Sequence, residues 1–291
     1  MNTSLPSSRR ALVLGGGGSA GNAWLIGVAA GLAEAGLDVT TADLIIGTSA
    51  GATAAAQLTA ATASDLLTQT LNAVIPQRPG GAGPMLDHLE RTNRVIAEST
   101  GIADMRRRAG ASALELEAST DPVVQERWRA TVAARLPSQS WPNHRVQLTA
   151  VDARTGEPVI FDRDSGVALA DAVAASCAGG FAYAIGGIHY IDGGYRTNAD
   201  NADLAAGHER VLVLSPLGGR SRHPRHWGTH LAEQVDALRA EGSAVETIFP
   251  DEVALAAFGD NLMDLSARAP AARAGHAQGL AIAGRLEEFW G

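Results

Sequence analysis

The chain has 291 residues, 46% of them hydrophobic, and a formal net charge of −8 from 23 basic and 31 acidic side chains. This length and composition are sufficient for one large buried core. An acidic chain lacks the clustered lysine and arginine that phosphate contacts need, so we exclude nucleic acid as a general partner.

Cysteine content and hydropathy bear on the compartment. Cys177 is the single cysteine, so an intramolecular disulfide is impossible and nothing indicates an oxidising compartment. The sequence has no run of about 18 apolar residues. The apolar segment after Arg9-Arg10 is too short for a signal peptide. We therefore expect a cytoplasmic protein with one domain over residues 1–291 and a disordered tail over residues 1–9.

The first part of the chain alternates apolar runs with helical stretches. Strands are predicted at Ala11–Leu14 and Asp43–Ile46, and the helices that follow them at Asn22–Ala35 and Ala50–Ala63. Strands that alternate with helices predict parallel pairing in a sheet covered on both faces.

Residues 76–144 have a different residue pattern, with many charged residues at helical spacing and few runs of β-branched residues. The predicted helices are Leu86–Glu98, Ala111–Ala118 and Val123–Leu136. We interpret this stretch as a helical insertion that lies over the sheet. Any transient contact with a membrane surface is expected from it, although the basic run Met105–Arg108 is more typical of a solvated helix end.

The strand pattern returns after residue 144, which completes the prediction of an α/β fold. The predicted strands are Arg145–Val151, Pro158–Phe161, Gly187–Ile191, Arg210–Ser215 and Val245–Phe249. The first two are expected to form a hairpin across Thr155-Gly156. Helices are predicted at Val167–Ser176, Asn261–Leu265 and Gln278–Trp290.

The segment Gly47-Thr48-Ser49-Ala50-Gly51 has the pattern G-x-S-x-G between a predicted strand and a predicted helix. The glycines permit a sharp turn and a close approach of strand to helix. The Ser49 hydroxyl would then lie at a helix N-terminus, where developing negative charge is favoured. We therefore expect Ser49 to act as a nucleophile in acyl transfer.

A glycine-rich loop, Gly15–Gly21, lies between the first strand and its helix. Consecutive glycines let backbone N–H groups converge on an anion, and each such donor is worth roughly 10²–10³ in rate. The loop also matches the dinucleotide fingerprint G-x-G-x-x-G, which expects an acidic residue at the end of the second strand. Asp43 lies at the wrong end of that strand, which argues against a nucleotide site.

A third motif, Asp192-Gly193-Gly194, ends a predicted strand. Its glycines favour a tight turn that presents the carboxylate, although an ordinary Asp-Gly turn has the same pattern. A serine nucleophile needs a base, and a triad would take a histidine downstream of the aspartate. The downstream histidines are His208, His223, His226, His230 and His276.

Three of these histidines, His223, His226 and His230, are clustered near helical spacing, which could suggest metal ligands. Pro224 interrupts the helix, and no carboxylate or cysteine completes the set. We expect a polar surface segment there, with no metal and no cofactor.

Together and in this order, the three motifs resemble the patatin-like phospholipase family. Two further stretches are similar to the family, Thr149–Glu157 and Ala172–Ser176, and the resemblance spans roughly residues 11 to 215. It implies a three-layer α/β/α sandwich with a mostly parallel central sheet. It also implies hydrolysis of lipid acyl esters without a metal.

The resemblance further implies a Ser–Asp dyad that works without histidine. Ser49 would be the nucleophile and Asp192 the general base, whose pKa partial burial should raise. The backbone amides of Gly16, Gly17 and Gly18 would form the oxyanion hole.

The chain departs from the family pattern in two places. Ala20 stands where many members have arginine or lysine, and Cys177-Ala178 stands where many have a proline. These departures leave two alternatives open beside a lipid acyl hydrolase of phospholipase A type. One is a soluble short-chain carboxylesterase, and the other is a non-catalytic lipid-binding protein on a degenerate hydrolase scaffold.

Overall fold

The computed structural model describes residues 9–74 and 83–291, and within that range the side chains of all residues except 83–87. Most of the predicted tail, residues 1–8, and the start of the predicted insertion, residues 76–82, lie outside the described residues. The Arg9 carbonyl accepts a hydrogen bond from the Glu209 amide at 2.9 Å. No helix in the described ranges is both long and apolar enough to cross a membrane.

Within the described residues, an eight-stranded sheet forms the middle of the fold. Five strands pair in parallel in the order β3, β2, β1, β7, β8. Strands β4 and β6 pair antiparallel with β3, and β5 pairs antiparallel with β6. The strands are β1 Arg10–Leu14, β2 Leu44–Gly47, β3 Val146–Asp152, β4 Pro158–Phe161, β5 Tyr183–Ile185, β6 Ile188–Asp192, β7 Arg210–Leu214 and β8 Ala244–Ile248.

Helices cover both faces of this sheet. They are α1 Gly18–Glu34, α2 Ala50–Leu58, α3 Ala63–Asn72, α4 Gly83–Glu98, α5 Ile102–Leu114, α6 Pro122–Ala133, α7 Leu169–Ser176, α8 Leu231–Ala240, α9 Glu252–Phe258 and α10 Arg268–Trp290. The fold is therefore the three-layer α/β/α sandwich that the family resemblance implied.

Alternate residues of the strands point to opposite faces of the sheet. Leu12 and Leu14 join a core shared with α1, α2, α7 and α10. Ala11 and Val13 join a second core, which α8 covers. Burial on both faces explains why these strands are continuous apolar runs in the sequence.

Strand β3 brings the ends of β2 and β6 together. Gly47 at the end of β2 pairs with Leu148, and Asp192 at the end of β6 pairs with Ala150. Strand β4 occupies the other edge of β3 along residues 148–151. Because β2 and β6 must then share the remaining edge, they approach head to head, and the chain after Gly47 arrives beside Asp192.

Several predicted boundaries were wrong. The expected helix Ala50–Ala63 is two helices, α2 and α3. The second is capped by Thr62, whose hydroxyl accepts a hydrogen bond from the Asp65 amide at 3.1 Å. The expected helix Ala111–Ala118 is instead the later part of α5 followed by a short 3₁₀ turn.

The basic run Met105–Arg108 also differs from the prediction, because it lies inside α5 and not at a helix end. Met105 is fully buried. Arg106 donates to the carbonyls of Gly156 at 2.7 Å and Arg196 at 3.0 Å. Through Arg106, this run therefore connects α5 to the turn between β3 and β4 and to the segment that follows β6.

The part of the chain after α7 contains elements that the pattern did not predict. Strand β5 and helices α8 and α9 were missed. The expected helix Asn261–Leu265 was wrong, because a 3₁₀ turn at Leu265–Ala267 leads directly into α10.

Candidate active site

Ser49 lies at the turn between β2 and α2, in a strained backbone conformation with φ 52° and ψ −112°. Positive φ at a non-glycine residue costs about 1–3 kcal/mol and is kept only where the surroundings enforce it. Gly51 permits this turn, since a Cβ there would collide with the Leu14 carbonyl of β1. The structure thus has the strand, sharp turn and helix that the motif predicted, and the Ser49 side chain remains partly exposed.

Asp192 ends β6 and faces Ser49. Its Oδ1 accepts a hydrogen bond from the Gly194 amide at 2.8 Å. Burial raises the pKa of Asp192 to about 6, while the hydrogen bond from Gly194 and the nearby Ser49 side chain act in the opposite direction. The structure therefore brings Ser49 and Asp192 together, and desolvation makes this carboxylate a stronger base than an exposed one.

A buried polar cluster lies beneath these two residues, at the point where β2 and β6 meet. The hydroxyls of Thr48 and Thr149 are 2.9 Å apart. Asn201 donates to Thr48 Oγ1 at 3.0 Å and to the Gly193 carbonyl at 3.0 Å. Asn201 thereby links the turn of Ser49 to the turn of Asp192. No sequence motif indicates Asn201. Its position nine residues after Asp192 is too weak a signal to predict a role in the site.

The glycine loop passes beside Ser49, since a Cβ on Gly16 would lie 3.6 Å from Ser49 Cβ. The Gly16 amide donates to the Ala199 carbonyl at 2.8 Å, which argues against the predicted donor role for Gly16. The amides of Gly17 and Gly18 have no acceptor within the described residues. Gly18 adopts φ 63°, a left-handed conformation that turns the loop into α1.

Ala20, the residue in place of the family's basic side chain, is fully buried. Its amide donates to the Leu262 carbonyl at 3.0 Å. The first turn of α1 is therefore packed against the segment that precedes α10.

Of the histidines considered as triad or metal residues, His223 and His230 interact with their own segment, whereas His276 Nε2 lies 2.8 Å from Glu34 Oε2. His223 Nδ1 lies 3.0 Å from Thr229 Oγ1, and His230 Nε2 lies 2.8 Å from the His223 carbonyl. Burial, followed by the nearby His230, lowers the pKa of His223 to about 4. In the described part of the chain, no histidine hydrogen-bonds Ser49 or Asp192, and no group of three or more His, Cys, Asp or Glu side chains could hold a metal ion.

A cleft opens beside Asp192, between α4, α5 and the segment after α7. Its lining combines apolar side chains such as Val95 and Leu116 with the polar groups of Arg91 and Tyr195. Gly179 also lines it, and a Cβ there would lie 3.7 Å from Asp192 Oδ2. The cleft therefore adjoins the Asp192 carboxylate and has an amphipathic wall.

A comparison with models of protein families identifies the family of this chain. The model of the family described as patatin-like phospholipase matches residues 12–205, well over half of the chain. The chain therefore belongs to the patatin-like phospholipase family. No curated protein gave a significant match.

Two solved structures are similar to this chain. VipD from Legionella pneumophila is 14% identical, with a TM-score of 0.45, and the alignment covers 96% of this chain and 67% of VipD. The type III effector protein ExoU is 16% identical, with a TM-score of 0.33 and coverage of 94% of this chain and 53% of ExoU. This chain thus spans about half the length of ExoU.

Proposed function

We propose that this protein is a serine lipid acyl hydrolase of phospholipase A or esterase type, with Ser49 as nucleophile and Asp192 as general base. The observation that carries the proposal is the pairing of a partly exposed, strained serine with a carboxylate whose pKa is raised to about 6. A base with a pKa close to the working pH is ionised and still accepts a proton effectively.

In the first half of the reaction, Asp192 accepts the hydroxyl proton of Ser49 as Oγ attacks the ester carbonyl carbon. The carbonyl π electrons move to oxygen and form a tetrahedral oxyanion. Collapse of this intermediate breaks the bond to the alcohol, which leaves with the proton held by Asp192. An acyl-enzyme at Ser49 remains.

The amides of Gly17 and Gly18 supply the oxyanion hole in this proposal. Both lie at the N-terminus of α1, where unpaired N–H groups and the helix dipole favour negative charge. The bond from the Gly16 amide to Ala199 holds the loop in place.

In the second half, Asp192 takes a proton from water as the water oxygen attacks the acyl carbon. Collapse releases the carboxylic acid and returns the proton to Ser49. The two half-reactions therefore use the same base, and each step balances within the dyad and the substrate.

Hydrolysis of p-nitrophenyl esters of increasing chain length, compared with phosphatidylcholine vesicles, tests the substrate class. Release of fatty acid from vesicles and activity on long esters are expected. Activity limited to short soluble esters would indicate a carboxylesterase. No turnover of any ester, together with vesicle binding, would indicate a non-catalytic lipid-binding protein.

A further inference from the structure

Three consecutive residues at the end of α7 contact the backbones of both Ser49 and Asp192. The Ser176 hydroxyl accepts a hydrogen bond from the Ser49 N–H at 3.0 Å. The Cys177 thiol donates to the Ser49 carbonyl at 3.1 Å. The Ala178 carbonyl accepts a hydrogen bond from the Asp192 N–H at 2.9 Å.

These contacts fall where the backbone needs support. The positive φ of Ser49 is unfavourable and persists only if neighbouring groups enforce it. The N–H of Ser49 has Ser176 as its partner, and the carbonyl has both the Thr53 amide, at 3.1 Å, and the Cys177 thiol. Both polar backbone groups of the strained residue are therefore held.

The segment is itself firmly seated, since Ser176 is 0% exposed and Ala178 is 1% exposed. Helix α7 also contributes apolar side chains to the main core, namely Leu169, Ala170, Ala172, Val173, Ala174 and Ala175. A rigid element that touches two residues from different strands fixes their separation, because interiors packed at crystal-like density do not deform easily.

We propose that Ser176, Cys177 and Ala178 form a brace that sets the distance between the Ser49 hydroxyl and the Asp192 carboxylate. The catalytic consequence of this brace rests on the proposed function. The three are positioning residues, since they act on the dyad through its backbone.

Cys177→Ala removes the thiol donor and tests the brace. We expect the rate constant for covalent labelling by a fluorophosphonate to fall about fivefold to tenfold, the worth of about one hydrogen bond. The KM for a p-nitrophenyl ester should stay unchanged, because the brace acts on geometry and not on binding. Cys177→Ser restores a donor and should recover a large part of the lost rate.

The matched control is Val173→Ala, which truncates a fully buried side chain on the same helix without touching Ser49 or Asp192. It should lower the melting temperature but leave the labelling rate near that of the wild type. Equal labelling rates in Cys177→Ala and the wild type, or the same loss in Val173→Ala, would overturn a positioning role for the thiol.

Hydrogen exchange of the Ser49 amide, followed by NMR with ¹⁵N-serine, tests the brace without any turnover. Ser176→Ala should speed this exchange about tenfold or more, since it removes the acceptor of a single hydrogen bond. Unchanged exchange would overturn the brace. Wild-type protein that resists labelling would instead count against the proposed function, and the exchange result would still decide whether Ser176 holds Ser49.

Discussion

Asp192 and Asp200 are eight residues apart, and burial raises the pKa of both, yet their surroundings differ. Asp192 is partly exposed, accepts a hydrogen bond from Gly194 and faces the Ser49 hydroxyl. Asp200 is 2% exposed, and its Oδ1 has no partner in the described part of the chain. Its pKa is raised to about 7, with only Ser215 acting in the opposite direction.

A raised pKa alone therefore does not identify a general base. The oxygen of Asp200 lies against Gly15, behind the glycine loop, where no substrate proton can reach it. Asp192 combines a smaller shift with access and a serine partner. The two carboxylates differ in function because Asp192 lies at the end of β6, where that strand pairs with β3.

Removal of the Asp192 carboxylate should cause the greatest loss of activity, whereas removal of the Asp200 carboxylate should have little effect. Asp192→Asn keeps the shape but cannot accept a proton, so we expect kcat to fall about 10²–10⁴-fold. Asp200→Asn should change kcat by no more than about threefold. Ester hydrolysis at pH 8 measures both variants, and a comparable loss in Asp200→Asn would remove the functional distinction between the two carboxylates.

The pH dependence of kcat/KM should follow Asp192. Because the base must be ionised, activity should rise with pH through about 6 and then level off. The same rise should persist in Asp200→Asn and in His223→Gln. A profile that instead moves in the His223 variant would assign the titrating group to a triad.

Substitution of Asp200 should change the pH dependence of the free energy of unfolding more than it changes the activity. A carboxyl whose folded pKa is raised favours the folded state only while protonated, so this stabilisation is lost as pH rises from about 4 to about 7. Asn does not titrate. The free energy of unfolding of Asp200→Asn relative to the wild type should therefore increase by about 2–4 kcal/mol between pH 4 and pH 8. Urea denaturation at the two pH values measures this increase, and a constant difference would mean that folding does not raise the pKa of Asp200.

The subtlest difference between the carboxylates concerns Cys177, where burial and then the charge of Asp192 raise the thiol pKa to about 12. Only thiolate reacts, so a disulfide reagent at pH 8 should modify the native protein far more slowly than free cysteine. Asp192→Asn should speed this reaction more than Asp200→Asn does, because only Asp192 contributes to the shift. Equal rates in the two variants would place the two carboxylates at similar electrostatic distance from Cys177.

Much of the fold was predictable because its strands are buried on both faces and therefore stand out as apolar runs. Ser49 was predictable because a serine flanked by glycines on a strand-to-helix turn is typical of a nucleophile. The chain between residues 100 and 120 was mispredicted, because charges on α5 such as Arg106 bond to carbonyls of other segments and not to solvent. The shared edge of β3 was not foreseen, since hydropathy patterns carry no information on pairing order.

The Asp192–Ser49 relation itself came from a family resemblance and not from spacing. The roles of Ser176, Cys177 and Asn201 depend on long-range contacts: the first two lie 127 and 128 residues from Ser49, and Asn201 lies 153 residues from Thr48. Local sequence patterns contain no signal for such contacts. The reactive side chains were therefore accessible from motifs, whereas the groups that hold them required the structure.

Covalent labelling with a fluorophosphonate, read by intact mass and peptide mapping, is the sharpest test of a dyad formed by Ser49 and Asp192. We predict one adduct, on Ser49, formed rapidly in the wild type and in Asp200→Asn, slowly in Asp192→Asn and not at all in Ser49→Ala. An adduct on another residue, or undiminished labelling in Asp192→Asn, would contradict a Ser49 nucleophile activated by Asp192.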